Sequence, residues 1–194
     1  MVGPEHRGTS SVIMRKLLRT LRLDPSDTFV FERAAEPGEW AVTGSSLFAD
    51  TDPEGLPPKV RTAFRSGFLG IGSMGFSTLV EVAEIDGSES AHVRERFAQR
   101  LVAVFGMPQK VAGRLAGEEL AFASSLCDHE PGTVVAVHRR FDHGSVREQF
   151  RTLHRRDVPA PGADRLHAFA RAFEIVEVEE PEEQVDLLGL MGKR

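Results

Sequence analysis

An α+β fold, with a single largely antiparallel sheet, two central helices packed on one face and a C-terminal helical and acidic extension, is predicted by three features of the sequence. Period-2 stretches recur between residues 17 and 85, two consecutive helix-period segments follow, and TVVAVHRRFDHGSVREQFRTLH at 133 to 154 reads as a β-hairpin. With 194 residues, 41% of them apolar, the chain can bury one sizeable core.

Residues 1–13 are polar and contain Gly, Pro and Ser, and read as a flexible extension. The regular pattern begins with MRKLLRTLRL at Met14, an alternative translation start. LLRTLRL (17 to 23), TFVF (28 to 31) and EWAVTGSSLF (39 to 48) have strand character, the last with Trp40, Val42 and Phe48 on one side. DPSD and EPGE between them are turns, with Asp24 and Asp27 as Asx-turn residues. PPKVRTAFRSGF predicts a helix over 57–66 that presents Val60, Ala63 and Phe64 and stops at Gly67. FSTLVEVAEI (76 to 85) alternates as one strand, with Phe76, Thr78, Val80 and Val82 on one side.

DGSESAHVRERFAQRLVAVFG places Val93, Phe97, Leu101, Val104 and Phe105 at helical spacing, with Ser88 or Ser90 as cap and Gly106 as terminator. Pro108 restarts the chain into an Ala-rich helix over about 109–126, with Val111, Leu115, Phe122 and Leu126 on its buried side.

For the hairpin, the turn selects the pairing. A two-residue turn at His143 and Gly144 sets Phe141 opposite Val146, Arg139 opposite Glu148, Val137 opposite Phe150 and Val135 opposite Thr152. A three-residue loop would set Arg139 against Arg147, and like charges directly opposite repel. The first register puts His138, Arg140, Arg147, Gln149 and Arg151 together on the other face, a basic, hydrogen-bonding strip suited to an acidic partner.

Residues 14–156 form the α+β domain and 157–194 an acidic extension. The extension contains a DVPAPGAD linker, a short amphipathic helix through Leu166, Phe169, Ala170 and Phe173, and an edge strand in EIVEVEE. The acidic run Glu179 to Asp186 then leads into VDLLGLMGKR, as a solvated tail, a peptide for a partner's groove, or a segment folded back on the basic strip.

Charge divides along the chain. Residues 14–156 carry 19 basic and 19 acidic side chains, and 157–194 carry 4 basic and 9 acidic, so the extension accounts for the whole net charge of −5. A nucleic-acid binder is disfavoured because phosphate contacts call for a basic domain. No apolar run approaches the roughly 20 residues that cross a bilayer, and the start lacks a secretory h-region. One cysteine, Cys127, allows neither an internal disulfide nor a Cys-based zinc cage, which fits a cytoplasmic protein.

Candidate chemistry is sparse. Cys127, His129 and His138 are weak catalytic candidates, because a thiol beside an imidazole is the minimum for covalent catalysis. His138, His143 and His154 do not converge in the favoured register, so no metal site is expected, nor any cofactor. GIGSMG at 70 to 75 is a literal G-x-G-x-x-G, yet a helix precedes it and a strand follows, the reverse of a dinucleotide loop. Gly67, Gly70, Gly72 and Gly75 read instead as a crossover that needs positive φ or close packing. A small-molecule site, if present, lies beside Ser73 and Trp40.

At LLRTLRLDPSDTFVF, SGFLGIGSMGFSTLVEV and SLCDHEPGTVVAVHRRF the chain resembles a family of short bacterial proteins known only as a domain of unknown function, over about residues 14–155. The resemblance supports Met14 as the family-like start and transfers no catalytic role. It implies an association with lipoate-ligase-like proteins and accessory factors of molybdenum-dependent, formate-dehydrogenase-like enzymes. The expectation is a non-catalytic accessory or adaptor protein. It binds another protein, or a second copy of itself, through the basic strip and the acidic tail; the alternative is a small-molecule binder or an enzyme using Cys127 and a histidine.

Overall fold

Alternation in RKLLRTL makes β1 (Arg15–Leu21) the strand around which the sheet is built. It pairs antiparallel with β2 (Trp40–Val42) on one side and β5 (Leu79–Ile85) on the other. β3 (Phe68–Gly70) and β4 (Phe76–Ser77) extend the β2 side, and β6 (Val134–Asp142), β7 (Ser145–Arg155) and β8 (Phe173–Val176) extend the β5 side. The order is β4-β3-β2-β1-β5-β6-β7-β8, with every pairing of these strands antiparallel. This computed structural model describes residues 15–49, 51–155 and 173–176. The expected N-terminal extension, Met14, the acidic run, and Leu166, Phe169 and Ala170 of the expected amphipathic helix lie outside the described residues; Phe173, the last residue expected in that helix, instead opens β8, in line with the edge strand expected in EIVEVEE.

FSTLVEVAEI is two strands rather than one. Only Thr78 separates β4 from β5, yet three strands stand between them in the sheet, so this end of the sheet curls back on itself. The Ser77 hydroxyl, at the corner, reaches the carbonyl oxygens of Leu79 at 2.9 Å and Leu21 at 3.4 Å. Asp27 holds the corner: its carboxylate accepts from Ser77 Oγ at 3.0 Å, Thr78 Oγ1 at 2.6 Å and the Thr78 amide at 3.3 Å. That task explains why TFVF is not a strand. It lies in α1 (Ser26–Val30), which buries Asp27 and leaves Phe29 71% exposed. Asp24 is the turn residue expected, accepting from the Ser26 amide at 2.7 Å.

EWAVTGSSLF likewise yields only the three residues of β2 before the chain turns into a 3₁₀ segment, Ser45–Phe48. Phe48 therefore leaves the Trp40 side and joins Phe31, Ala63, Phe64 and Val146 in a second apolar cluster. α2 (Pro58–Ser66) supplies Ala63 and Phe64 to it as the sequence predicts.

α3 (Gly87–Phe105) and α4 (Gln109–Ser125) form an antiparallel pair, with Arg94 packed against Gly117. Asp86, not Ser88 or Ser90, caps α3, its carboxylate accepting from the Ser88 and Glu89 amides at 2.8 Å. Gly106, at φ 66°, ends it. Val93, Phe97 and Leu101 are buried, whereas Val104 and Phe105 lie exposed beyond the sheet. α4 is rotated from its expected orientation. Its buried ridge is Ala112, Ala116, Glu119 and Ala123, while Val111 is exposed and Leu115, Phe122 and Leu126 are half-buried flanks. Small residues let the helix backbone approach closely, and Phe122 meets Phe150 of β7 edge to face at 5.9 Å between ring centroids.

The principal core joins these helices to Leu18, Val80, Val82, Val135 and Val137, which share a sheet face by register. Hairpin β6–β7 adopts the two-residue turn: Phe141 faces Val146, Arg139 faces Glu148, Val137 faces Phe150 and Val135 faces Thr152. His143 and Gly144 have φ of 48° and 84°, the left-handed pair of a type I′ turn.

The corner makes a contrast testable. Asp27→Ala, which strands buried donors of Ser77 and Thr78, should lower the urea-unfolding free energy by about 1–3 kcal/mol. Asp24→Ala, at an exposed turn, should cost less than Asp27→Ala; an equal loss would contradict the assigned role.

Candidate functional site

Side chains alternate along β6 and β7, so the register that sends Val137, Arg139, Glu148 and Phe150 inward sends His138, Arg140, Arg147, Gln149 and Arg151 to the opposite face. His138, Arg140 and Gln149 are exposed there, and Arg147 and Arg151 are half-buried. β5 pairs with β6 only at Val134–Ala136, so the rest of the hairpin projects past the central sheet, with α2 alongside. Between them opens a cavity of about 760 Å³ whose lining includes Glu54, Arg61, Arg65, His138, Arg140 and Phe141. Arg61 donates to the carbonyls of Glu54 at 3.0 Å and Leu56 at 2.9 Å, and Arg147 pairs with Asp142 at 3.0 Å. Partial burial and the charges of Arg140, Arg151 and Arg65 pull the His138 imidazole below its ordinary pKa. The face is thus a neutral imidazole among guanidinium groups, an arrangement that receives carboxylates.

The inward side of the same strands holds what sequence reasoning missed. Arg139 is 1% exposed. It donates through Nε to Glu148 Oε1 at 2.6 Å, through Nη1 to the carbonyls of Phe64 at 3.1 Å and Gly67 at 2.7 Å, and through Nη2 to that of Thr43 at 2.5 Å. Burial raises the Glu148 carboxyl above its usual pKa against the pull of Arg139. Glu119 extends the network, accepting from Thr43 Oγ1 at 3.0 Å and from the Gly44 and Ser46 amides, both at 3.2 Å. The available signal was Arg139 standing between Val137 and Phe141 on the apolar side of the hairpin, with Glu148 directly opposite.

The glycine loop is already filled, by the chain itself. Glu39 accepts from the Ser73 amide at 2.8 Å, Ser73 Oγ at 2.5 Å and the Glu36 amide at 2.7 Å. A Cβ on Gly70 or Gly72 would strike this carboxylate. Close packing therefore explains these glycines; the left-handed residue of the loop is Met74, at φ 56°. A short strand, β3, does precede the loop, contrary to expectation, but β4 rather than a helix follows it, so no helix N-terminus faces a phosphate. Ser73 is thus committed to Glu39. Trp40 is committed as well: its indole N–H donates to Glu89 Oε1 at 2.9 Å, and the Arg19 guanidinium lies 4.0 Å above its ring.

Cys127 is buried in the principal core, and its thiol donates to the Ala123 carbonyl at 3.2 Å. Burial pushes the thiol pKa up to about 12, which favours the protonated thiol at neutral pH over the reactive thiolate. His138 lies on the other side of β6 from that core, and the His129 carbonyl accepts from Lys16 Nζ at 2.7 Å. Cys127 and His138 are therefore not brought together. Among the described residues no three His, Cys, Asp or Glu side chains gather as metal ligands, and no helix is long and apolar enough to cross a membrane.

Two measurements check these assignments. Arg139→Met should destabilise the protein by about 3–5 kcal/mol in urea unfolding, because it leaves Glu148 buried without its partner; a loss below about 1 kcal/mol would contradict the network. Native Cys127 should react with iodoacetamide at pH 8 at least about tenfold more slowly than in the urea-unfolded chain. Equal rates would restore the thiol as a candidate nucleophile.

No curated protein sequence and no solved structure matches this chain. Residues 14–168, most of the sequence and all of the described hairpin, match a family of unknown function, DUF6505, and the protein belongs to that family.

Proposed function

We propose that this protein is a non-catalytic, cytoplasmic accessory protein that holds an acidic segment of another protein against the outer face of hairpin β6–β7. The observation that carries this reading is the cavity between α2 and the hairpin, which brings Arg61, Arg65 and Arg140 to line one opening with His138. Guanidinium groups fixed on a strand and a helix bind carboxylates in paired hydrogen bonds, and their summed field steers an acidic partner to the face. The buried thiol and the self-filled glycine loop favour binding over catalysis. The family association noted above makes lipoate-ligase-like proteins and factors of molybdenum-dependent enzymes the first partners to test.

A second reading, a small-molecule binder, draws on one feature: a cavity of about 980 Å³ where β1 meets α3 and α4, bordered by Arg15, Arg94, Leu17, Ile85 and Leu120. That mixture suits an amphipathic anion.

Affinity capture of the full chain from its native host, with mass spectrometry, separates the two readings. The wild type should retain a partner that R65E/R140E loses, and the capture should weaken with salt. Both substituted residues are exposed, so the fold is left intact. Partner capture indifferent to R65E/R140E would overturn the surface assignment.

A further inference from the structure

Three buried ionisable side chains bear on one another behind the hairpin: Arg139 of β6, Glu148 of β7 and Glu119 of α4. Glu119 is 5% exposed and the Glu148 side chain 4%. One guanidinium thus stands against two carboxyls. With both ionised, the cluster would hold an unbalanced negative charge where water cannot reach it.

The two carboxyls are unequally supplied with donors. Both oxygens of Glu119 accept, Oε2 from the Thr43 hydroxyl and the Gly44 amide and Oε1 from the Ser46 amide. Glu148 Oε1 accepts from Arg139 Nε at 2.6 Å, but its buried Oε2 has no hydrogen-bond partner among the described residues. The hydroxyl that bears on this carboxyl is that of Ser45, whose Oγ lies 3.3 Å from Thr43 Oγ1. Two hydroxyls therefore stand between the acids. A hydroxyl donates and accepts, so a proton on Glu148 Oε2 orients the line one way: Glu148 donates to Ser45, Ser45 to Thr43 and Thr43 to Glu119. The charges acting on Glu148 are Arg139, which favours its ionised form, and Glu119, which opposes it. α2 offers Arg139 the carbonyls of Phe64 and Gly67, while its Arg61 and Arg65 line the cavity that Arg139 and His138 also border.

We propose that Glu148 and Glu119 share one proton at neutral pH, held on Glu148 Oε2, so that a single negative charge balances Arg139 and the interior holds a pH-sensitive tie. Removing either acid leaves the other ionised against Arg139. Burial, the first cause, raises the Glu148 pKa on folding, so the folded chain keeps a proton that the unfolded chain gives up above the ordinary carboxylate range. The stability this site contributes is complete below that range and declines as pH rises toward the folded value. Within that window unfolding releases one proton, and the unfolding constant rises up to about tenfold per pH unit. Since Arg139 joins the hairpin, α2 and the turn after β2, these parts are held most firmly while the proton is bound.

Infrared spectroscopy and urea unfolding of the full chain test this. At neutral pH the folded wild type should show the carbonyl band of a protonated carboxylic acid. E148Q should lack the band yet fold, because glutamine keeps an oxygen for Arg139 and sets an amide N–H where the proton sits. E119Q, or E119A should glutamine prevent folding, should lack the band as well, since Glu148 then ionises against Arg139. The ratio of the wild-type unfolding constant to that of E148Q should rise about tenfold or more between pH 5 and pH 7. A wild type without the acid band, a band kept in E148Q, or a ratio that does not change with pH would overturn the proposal. A band lost in E148Q but kept without Glu119 would overturn the sharing, because Glu148 would then be protonated whatever its neighbour.

Discussion

The guanidinium of Arg139 is the tie on which the other parts depend. A buried cation is tolerated only when its donors are answered, and here one side chain reaches Glu148 across the hairpin, two carbonyls at the C-terminal end of α2 and the Thr43 carbonyl after β2. The Phe64 carbonyl belongs to the last turn of a helix, where backbone acceptors lack intrahelical donors, so Arg139 also caps α2. Thr43 passes the connection to Glu119 of α4 through its hydroxyl. One charged side chain thus joins the hairpin, α2 and the turn after β2, and through Thr43 reaches the helical layer.

Carboxylates perform a related task elsewhere. Asp27 holds the corner between β4 and β5, Glu39 fills the glycine loop, and Glu119 receives the first amides of a 3₁₀ segment. In each case an acid meets backbone or hydroxyl donors of a segment far away in sequence, satisfying polar groups that irregular backbone would otherwise bury unpaired. Short strands and a sharply curled sheet create many such groups. These acids are consequently engaged with the chain's own donors, whereas His138, Arg140 and Gln149 on the outer face of the hairpin are exposed.

That face exists because of the inner one. Since strand residues alternate, sending Arg139 into the core sends His138 and Arg140 out, and pairing Glu148 with it sends Arg147 and Gln149 out. The buried network and the cationic face are two sides of one register, and a slip would lose both.

The hairpin was legible in the sequence because its determinants are local: turn stereochemistry at His143 and Gly144, and the Arg139–Glu148 and apolar pairs a few residues apart; like-charge repulsion did not select the register, since the observed pairing itself sets Arg140 opposite Arg147 on the outer face. The antiparallel α+β class and the positions of α2, α3 and α4 were equally legible, since period and helix stop signals act over neighbouring residues. TFVF misled because its strand propensity yields to the need to bring Asp27 to the corner, and the α4 face misled because large residues suggested a core side that close packing assigned to alanines. At the site, the sequence by itself determined which residues share a hairpin face. Only the tertiary structure decided which face is buried, what carboxylate the glycines enclose and that Cys127 is sealed in the core. Those outcomes are set by partners such as Phe64, Gly67 and Thr43, more than 70 positions from Arg139, whose approach no local pattern encodes.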